Sequence, residues 1–153
     1  MQFYQMYKLN FPLYQIPVKN KENKMLVFDS IRKKWLKLVP EEWVRLNCIE
    51  FLTNEKKIPR SLISVEKEFK LNNLKKRFDI VVYNEKGEIY LLIECKAPNV
   101  KINQSVFNQI SKYNLVLKSK FLMITNGIDH YFFAMNYKNQ QIDFLKELPN
   151  YGI

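Results

Sequence analysis

Apolar residues recur at helical spacing in two segments of the chain. The first segment predicts a helix over about residues 40–54, with Pro40 in its first turn, where the N–H that proline lacks would have no partner. Its apolar positions are Trp43, Leu46, Ile49 and Leu52. The second predicts a helix over about residues 103–118, with Val106, Ile110 and Leu117 on one face.

Other segments are short and rich in β-branched and aromatic residues, which predicts strands. These segments are Met25–Ile31, Ser61–Lys70, Arg77–Tyr83, Ile89–Cys95, Phe121–Thr125, His130–Met135 and Gln141–Leu145. The run at 89–95 is almost continuously apolar, which is typical of a central strand buried on both faces. Residues 84–87 suit a hairpin loop, and residues 1–24 show no regular pattern. The order of elements favours an α/β or α+β layer with a mixed sheet.

The length of 153 residues predicts one domain. We expect residues 1–24 to form an N-terminal extension that packs on the core, and residues 25–153 to form the domain itself. No apolar run approaches the roughly 18 residues that cross a bilayer, and the N-terminus lacks the apolar segment of a secretory signal. The expectation is a cytoplasmic protein without a membrane partner.

Several common kinds of site are excluded by what the chain lacks. Cys48 and Cys95 form no CxxC pair, and His130 is the only histidine, so a disulfide scaffold and a zinc finger are not expected. The three glycines do not stand at the spacing of a phosphate-binding or dinucleotide-binding loop.

The charge of the chain is strongly positive. It has 25 Lys and Arg against 15 Asp and Glu, a formal net charge of +10. Such an excess favours a polyanionic partner, chiefly nucleic acid, over the alternative of a merely solvated basic surface. Lys76 and Arg77 belong to one cluster of cations and are candidates for phosphate contact, and Arg45 is expected either to pair with Glu41 or to reach a phosphate.

A constellation of charged residues stands at the ends of two predicted neighbouring strands. Glu94 and Lys96 share a face because residues two apart in a strand point the same way, while Cys95 points opposite. If Tyr83 faces Glu88 across the hairpin, Asp79 faces Leu92 and lies diagonal to Glu94, although a bulge at Gly87 would shift this register by one. Side chains at such diagonals are roughly 7–8 Å apart, close enough for two carboxylates to meet at one cation.

These residue types suit the hydrolysis of a phosphodiester. Two carboxylates hold Mg²⁺ or Mn²⁺, which stabilises charge on a phosphoryl oxygen and acidifies water. A lysine beside them orients that water or offsets charge in the transition state. The alternative interpretation of Glu94 and Lys96 is a salt-bridged strand end.

The arrangement Asp79…Glu94-Cys95-Lys96 resembles the PD-(D/E)xK nuclease superfamily. With the stretches FDSIRKKWLKLVPEEWVRLN, SVEKEFKLNNLKKRFDIVVY, IECKAP and NQISKYN, the chain resembles the N-terminal nuclease domain of type I restriction enzyme R subunits over residues 25–150. The resemblance implies a restriction-endonuclease-like core, a mixed central sheet of four to five strands flanked by helices on both sides. Phe78 replaces the proline of the motif, and no helicase motor follows.

The resemblance also implies roles for individual residues. Asp79 and Glu94 would bind the metal together with the backbone carbonyl of Cys95, and Lys96 would be the catalytic lysine. The acidic residue of the first helix corresponds to Glu42, with Glu41 as the second choice. The QxxxY motif of the family matches Gln109 and Tyr113, which would contact DNA or orient the lysine. Glu66 fits an acidic position on the first core strand, where a structural hydrogen bond is favoured over metal binding.

The sequence therefore predicts a Mg²⁺- or Mn²⁺-dependent deoxyribonuclease related to restriction or DNA repair. Its expected partner is DNA, with a separate helicase or restriction-modification subunit and a homodimer as further candidates. The alternative is a non-catalytic DNA-binding or assembly subunit that keeps the nuclease fold.

Overall fold

The computed structural model describes residues 8–152. Its strands are β1 (Val18–Lys21), β2 (Lys24–Asp29), β3 (Lys34–Lys37), β4 (Ile63–Leu71), β5 (Leu74–Tyr83), β6 (Ile89–Cys95), β7 (Phe121–Thr125), β8 (His130–Asn136) and β9 (Gln141–Leu145). Its helices are α1 (Pro40–Asn54) and α2 (Gln104–Leu117), with a 3₁₀ turn at Arg60–Leu62. Neither helix of this described part is long and apolar enough to cross a membrane.

Two sheets make up the fold over residues 8–152. The smaller is an antiparallel meander of β1, β2 and β3, and the larger has six strands in the order of the chain from β4 to β9. All neighbours in the larger sheet are antiparallel except β6 and β7, which are parallel and joined by α2. A parallel pair requires such a crossover, which puts α2 on one face of the sheet.

The two helices cover opposite faces of the larger sheet. Buried residues of α1 pack with Ile80, Ile93 and Met123, whereas Ile110 of α2 packs with Val81 and other residues of the opposite face. Strands β6 and β7 lie between the two clusters, and all five residues of β7 are buried. The continuous apolar run of β6 is thereby explained, because a strand covered on both faces needs apolar residues at every position.

The mixed α/β class and both helices agree with the sequence, and three features differ from it. The central sheet has six strands rather than four to five. A strand, β1, forms inside the segment that the sequence left irregular, because its residues pair with β2 although they carry no apolar alternation. A further short strand, β3, forms in the basic stretch after β2.

The register of β5 against β6 is also different from the one expected. Tyr83 pairs with Ile89 rather than with Glu88, and a bulge between Val82 and Tyr83 shifts every later pair by one further residue. Val81 therefore faces Leu92, which was the expected partner of Asp79. Continued by one position, this register places Asp79 at the level of Glu94, where the two strands no longer pair.

The described part of the N-terminal extension packs on the core, and residues 1–7 lie outside the described range. Ile16 belongs to the buried cluster beneath α1, and the N–H of Asn10 donates to the carbonyl of Gly127 at 2.7 Å. His130 lies 2.6 Å from the carbonyl oxygen of Asn10 through Nε2 and 2.7 Å from the hydroxyl of Thr125 through Nδ1. This histidine therefore links the N-terminal extension to the larger sheet.

A buried ion pair links the smaller sheet to α1. Asp29 at the end of β2 accepts a hydrogen bond from Arg45 at 2.8 Å, and both side chains are almost fully buried. Arg45 also bonds to Glu42, one turn earlier on α1. Burial alone would raise the pKa of Asp29, but the backbone N–H of Arg32 and the guanidinium of Arg45 outweigh it and hold that pKa below its usual range.

We predict that Arg45→Met lowers the free energy of unfolding by about 3 kcal/mol, because the buried carboxylate of Asp29 loses the guanidinium group that pairs with it. Arg60→Met is the matched control, since Arg60 pairs with Glu50 at 3.1 Å but is largely exposed and should matter by less than about 1 kcal/mol. Denaturant unfolding of both variants measures the difference. Equal losses would contradict the assignment of Arg45 as the buried link.

Candidate active site

The site begins where β5 separates from β6. The two strands pair only as far as Ile80 and Ile93, whereas β6 continues beside β7 as far as Cys95 and Thr125. In the gap, the carboxylate of Asp79 accepts a hydrogen bond from the backbone N–H of Cys95 at 2.7 Å. Because the N–H and C=O of a strand residue point to the same side, the carbonyl of Cys95 also points into this gap.

Strand β5 changes the direction of its side chains at this same point. Phe78 packs on the α2 side of the sheet and Ile80 on the α1 side, although two residues apart in a regular strand they would share a face. Glu66 of β4, across from Asp79, has a positive φ of 55° and marks the irregularity. Asp79 thus stands at the break between the regular sheet and the strands beyond it.

Glu94 is the most buried acid of the site. Its Oε1 lies 3.3 Å from the Nζ of Lys76 and 3.8 Å from the Nζ of Lys96. Its Oε2 is buried and has no hydrogen-bond partner among the residues that the structure describes. A buried carboxylate oxygen without a donor costs free energy, so this atom is suited to a cation or another ligand.

Both carboxylates of the site have a raised pKa. Burial, and then the charge of Glu94, raise the pKa of Asp79 to about 7. Burial also raises the pKa of Glu94, although the ammonium groups of Lys76 and Lys96 oppose the shift. The protein surroundings therefore do not fully stabilise negative charge on both carboxylates.

The donor set matches a hard divalent cation. Mg²⁺ accepts one or two carboxylates, a backbone carbonyl and several waters. Asp79 and Glu94 would supply the carboxylates and Cys95 the carbonyl. No group of three or more His, Cys, Asp or Glu side chains suited to a metal occurs in residues 8–152.

Of the two glutamates in the first turn of α1, Glu41 is the one whose charge acts on the two site carboxylates. Its charge raises the pKa values of both Asp79 and Glu94. Glu42 instead bonds to Arg45, with 3.0 Å between Oε2 and Nε, and lies 4.0 Å from Arg32. Glu42 was preferred in the sequence because it lies on the same face of α1 as the buried residues. The same position places it next to Arg45, which binds its carboxylate.

Arg45 does not contact a phosphate in this fold. Only 2% of its side chain is exposed, and its partners are Asp29 and Glu42 rather than Glu41. Its charge acts inside the protein, where it holds Glu42 in place and lies 3.9 Å from Glu66. The expectation that it binds nucleic acid is wrong because the pair with Asp29 buries it.

The two cations before Asp79 have different positions. Lys76 turns inward and bonds to Glu94, so it belongs to the site itself. The side chain of Arg77 is 67% exposed and pairs with Glu66 at 2.9 Å, which gives Glu66 the structural role favoured by the sequence. A groove of about 360 Å³ lies beside this pair, lined by Arg32, Leu36, Lys37, Glu42, Glu66 and Arg77.

Helix α2 reaches the site through one of its two motif residues. The ammonium of Lys76 lies 5.7 Å from the ring centre of Tyr113 and 5.2 Å from that of Phe78. Gln109, one turn before Tyr113, is exposed to solvent. Tyr113 and Phe78 thus hold Lys76 against Glu94. The QxxxY motif alone does not predict this role of Tyr113.

Two features of the site were missed or ranked too low in the sequence. Lys76 was assigned to phosphate contact instead of Glu94, and Glu41 was the second choice on its helix. The inward position of Lys76 could have been predicted from its spacing to Phe78. Residues two apart in a strand share a face, here the face that meets α2. The choice between Glu41 and Glu42 had no such signal, because both stand in the first turn.

One family model matches most of the chain. The model of the family described as the type I restriction enzyme R protein N terminus matches residues 40–149. The fragment structure of a putative HsdR subunit of a type I restriction enzyme from Vibrio vulnificus YJ016 is 21% identical, with a TM-score of 0.42. That match covers 57% of this chain and 19% of the other, so the chain spans about a fifth of its length. No curated protein matches the chain.

We predict that Asp79→Asn stabilises the metal-free protein at pH 8 more than at pH 5. The folded-state pKa of Asp79, about 7, lies above its unfolded value, so the wild type loses stability as the pH rises through this range. Asparagine has no charge to bury and still accepts the bond from Cys95. The variant should gain on the order of 2 kcal/mol relative to the wild type between the two pH values.

Denaturant unfolding in EDTA at both pH values measures this gain. Asp143→Asn is the control, because Asp143 is exposed on β9 and should show no comparable pH-dependent gain. If the free energies of unfolding of Asp79→Asn and the wild type differ by the same amount at pH 5 and pH 8, the pKa of the Asp79 carboxylate is not raised by burial.

Proposed function

The chain belongs to the family of type I restriction enzyme R protein N termini, and we propose on that premise that it hydrolyses phosphodiester bonds of DNA with a divalent cation. The observation that carries the proposal is the pair of Asp79 and Glu94 in the gap between β5 and β6. Oε2 of Glu94 is buried without a partner in the described residues, and two lysines stand beside the other oxygen of this carboxylate. We further propose that the sheet and its two helices are a restriction-endonuclease-like core.

Mg²⁺ or Mn²⁺ would be held by Asp79, Glu94 and the carbonyl of Cys95. When bound, the cation would supply positive charge for a phosphoryl oxygen and lower the pKa of water. The carboxylates would thereby keep their charge at neutral pH, because a cation between them offsets their repulsion. Asp79 would stay in place through its bond to the N–H of Cys95.

Lys96 is the proposed catalytic lysine. Its side chain is about one third exposed, so its ammonium group can meet both Glu94 and a substrate. From there it would orient the attacking water or offset the charge that develops on the phosphate. Lys76 is a positioning residue in this proposal, since its bond to Glu94 and its contact with Tyr113 fix the carboxylate.

Glu41 replaces Glu42 in this proposal as the acidic residue of the first helix. It acts through its charge on both Asp79 and Glu94. Exposed Arg77 and Gln109 would contact the DNA, the former by its charge. A restriction-modification or helicase subunit and a second copy of the chain are the proposed assembly partners, in keeping with the family of type I restriction enzyme R protein N termini.

The second candidate function is a DNA-binding or assembly subunit without catalysis. It is favoured by the acidic residues of the described part, which provide no group of three suited to a metal. Binding of DNA without cleavage, under conditions that support metal binding, would identify this function.

We predict metal-dependent nicking of supercoiled plasmid by the wild type with Mg²⁺ or Mn²⁺. Lys96→Ala should lower the rate at least 100-fold, because general acid–base catalysis or charge stabilisation by one group contributes that much. Lys138→Ala, at an exposed turn, is the control and should keep the rate. Agarose-gel conversion of supercoiled to open-circular DNA measures it. No cutting by the wild type with DNA still bound would support the second function.

We also predict opposite effects for the two glutamates of α1. Glu41→Gln should weaken binding of Mn²⁺ and slow nicking with little loss of stability, because it removes charge beside Asp79 and Glu94. Glu42→Gln should lower the free energy of unfolding by about 1–2 kcal/mol, because it weakens the bond to buried Arg45. Calorimetric titration with Mn²⁺ and denaturant unfolding separate the effects. Loss of metal binding in Glu42→Gln alone would restore Glu42 as the acid of the site.

A further inference from the structure

Strands β4 and β5 continue past the rest of the sheet as a two-stranded ribbon. Their pairing runs from Ile63 and Val82 to Leu71 and Leu74, but β5 pairs with β6 only as far as Ile80. The residues from 67 to 78 therefore have no other strand beside them in the described structure. Six residues of β5 beyond Ile80 give the ribbon a length of about 20 Å.

The tip of the ribbon is a tight and well-defined turn. Asn72 and Asn73 have φ values of 49° and 68°, the left-handed conformation of the two-residue turn that best fits a twisted hairpin. Asparagine tolerates this conformation better than most residues. Leu74, just after the turn, is 58% exposed. The ribbon is thus a regular arm whose end meets solvent.

The ribbon carries mainly positive charge. Residues 67–77 include five cations and one acid, Glu68. Lys70 lies directly opposite Lys75, a placement that is unfavourable for like charges. Neither lysine has an ion-pair partner within the described part of the chain. This repulsion is relieved when an anion binds between or beside the two ammonium groups.

The positive face of the ribbon leads to the candidate site. Arg77 shares a face with Lys70 and Lys75, because the opposite residues Glu68 and Arg77 form the next alternate pair. Arg77 also lines the groove of about 360 Å³ that includes Arg32 and Lys37. Cations therefore follow one path from the tip of the ribbon to the flank of the two carboxylates.

A second hairpin shows that opposed lysines alone do not select a site. Lys21 and Lys24 face each other at the end of β1 and β2, and the turn between them also has two residues with positive φ. That hairpin belongs to the smaller sheet, and its tip is at the far end of β2 from Asp29. What distinguishes the β4–β5 ribbon is that its base contains Asp79.

We infer that the β4–β5 ribbon is an arm that enters a groove of double-stranded DNA and holds the phosphates beside the carboxylates. A two-stranded ribbon fits the major groove, which is about 12 Å wide. Lysines at its edge neutralise backbone phosphates and give affinity without choice of sequence. The inference rests on the DNA substrate of the proposed function but does not depend on cleavage.

The first test compares two double variants with the same loss of charge. Lys70→Gln with Lys75→Gln removes the pair at the tip of the ribbon, and Lys21→Gln with Lys24→Gln removes the matched pair of the other hairpin. Binding of a 30-base-pair duplex by full-length protein is measured by fluorescence anisotropy, in EDTA, over a range of salt concentrations. Absence of metal keeps binding separate from cleavage.

We expect the ribbon variant to bind more weakly and to lower the slope of log affinity against log salt by about 1.8, since each phosphate contact contributes about 0.9. The control variant should keep the slope of the wild type. Equal slopes in all three proteins, or equal losses in both variants, would overturn the inference. Weaker binding by the ribbon variant with no nicking by the wild type would refute cleavage and leave the ribbon as the DNA contact.

A second test locates the ribbon on the DNA. Leu74→Cys, labelled with a photoactivated cross-linker, is compared with Lys24→Cys at the equivalent position of the other hairpin, and native Cys48 and Cys95 are buried and shielded from the label. We expect cross-links to duplex DNA from the ribbon and few from the control. Cross-linking that is equal for the two positions, or stronger to single-stranded DNA, would contradict entry into a duplex groove.

Discussion

The bond from the N–H of Cys95 to the carboxylate of Asp79 determines how the rest of the site is arranged. A strand that leaves its neighbour would normally expose the N–H and C=O groups of that neighbour, and burial of such groups without partners is costly. Asp79 takes the place of the departing strand for one of these groups. Strand β5 can therefore turn away from β6 and leave an acid, a carbonyl and a gap at the break.

The protein buries acidic residues in two ways, and the contrast separates structure from chemistry. Asp29 is surrounded by donors, among them Arg45, and its pKa is lowered. Asp79 lies beside another buried acid, and its pKa is raised to about 7. A paired acid stabilises the fold, whereas two acids that repel each other are tolerated where a cation can bind them. The neighbours of each acid, rather than its burial, thus decide its role.

The same break links the site to the rest of the molecule. On one side of it, β5 and β6 are sealed between α1 and α2, and Glu94 stands near the end of a strand whose last five residues are buried. On the other side, β4 and β5 leave the sheet as a basic ribbon. Helix α1 adds Glu41, and α2 adds Tyr113 behind Lys76. The rigid sheet thereby positions charges of both signs within one region, as a site for a polyanion and a cation requires.

Much of this protein follows from its sequence. The helical spacing of Trp43 and Leu46, the apolar run of β6 and the charged end at Glu94 and Lys96 are local patterns, and burial preserves them in the fold. The sequence did not determine the register of β5, since one bulge at Val82 shifts every later pair. Nor did it separate Glu41 from Glu42 or reveal the burial of Arg45. The burial of Arg45 depends on Asp29, 16 residues before it, because a charged side chain takes the partner that the packed chain brings to it.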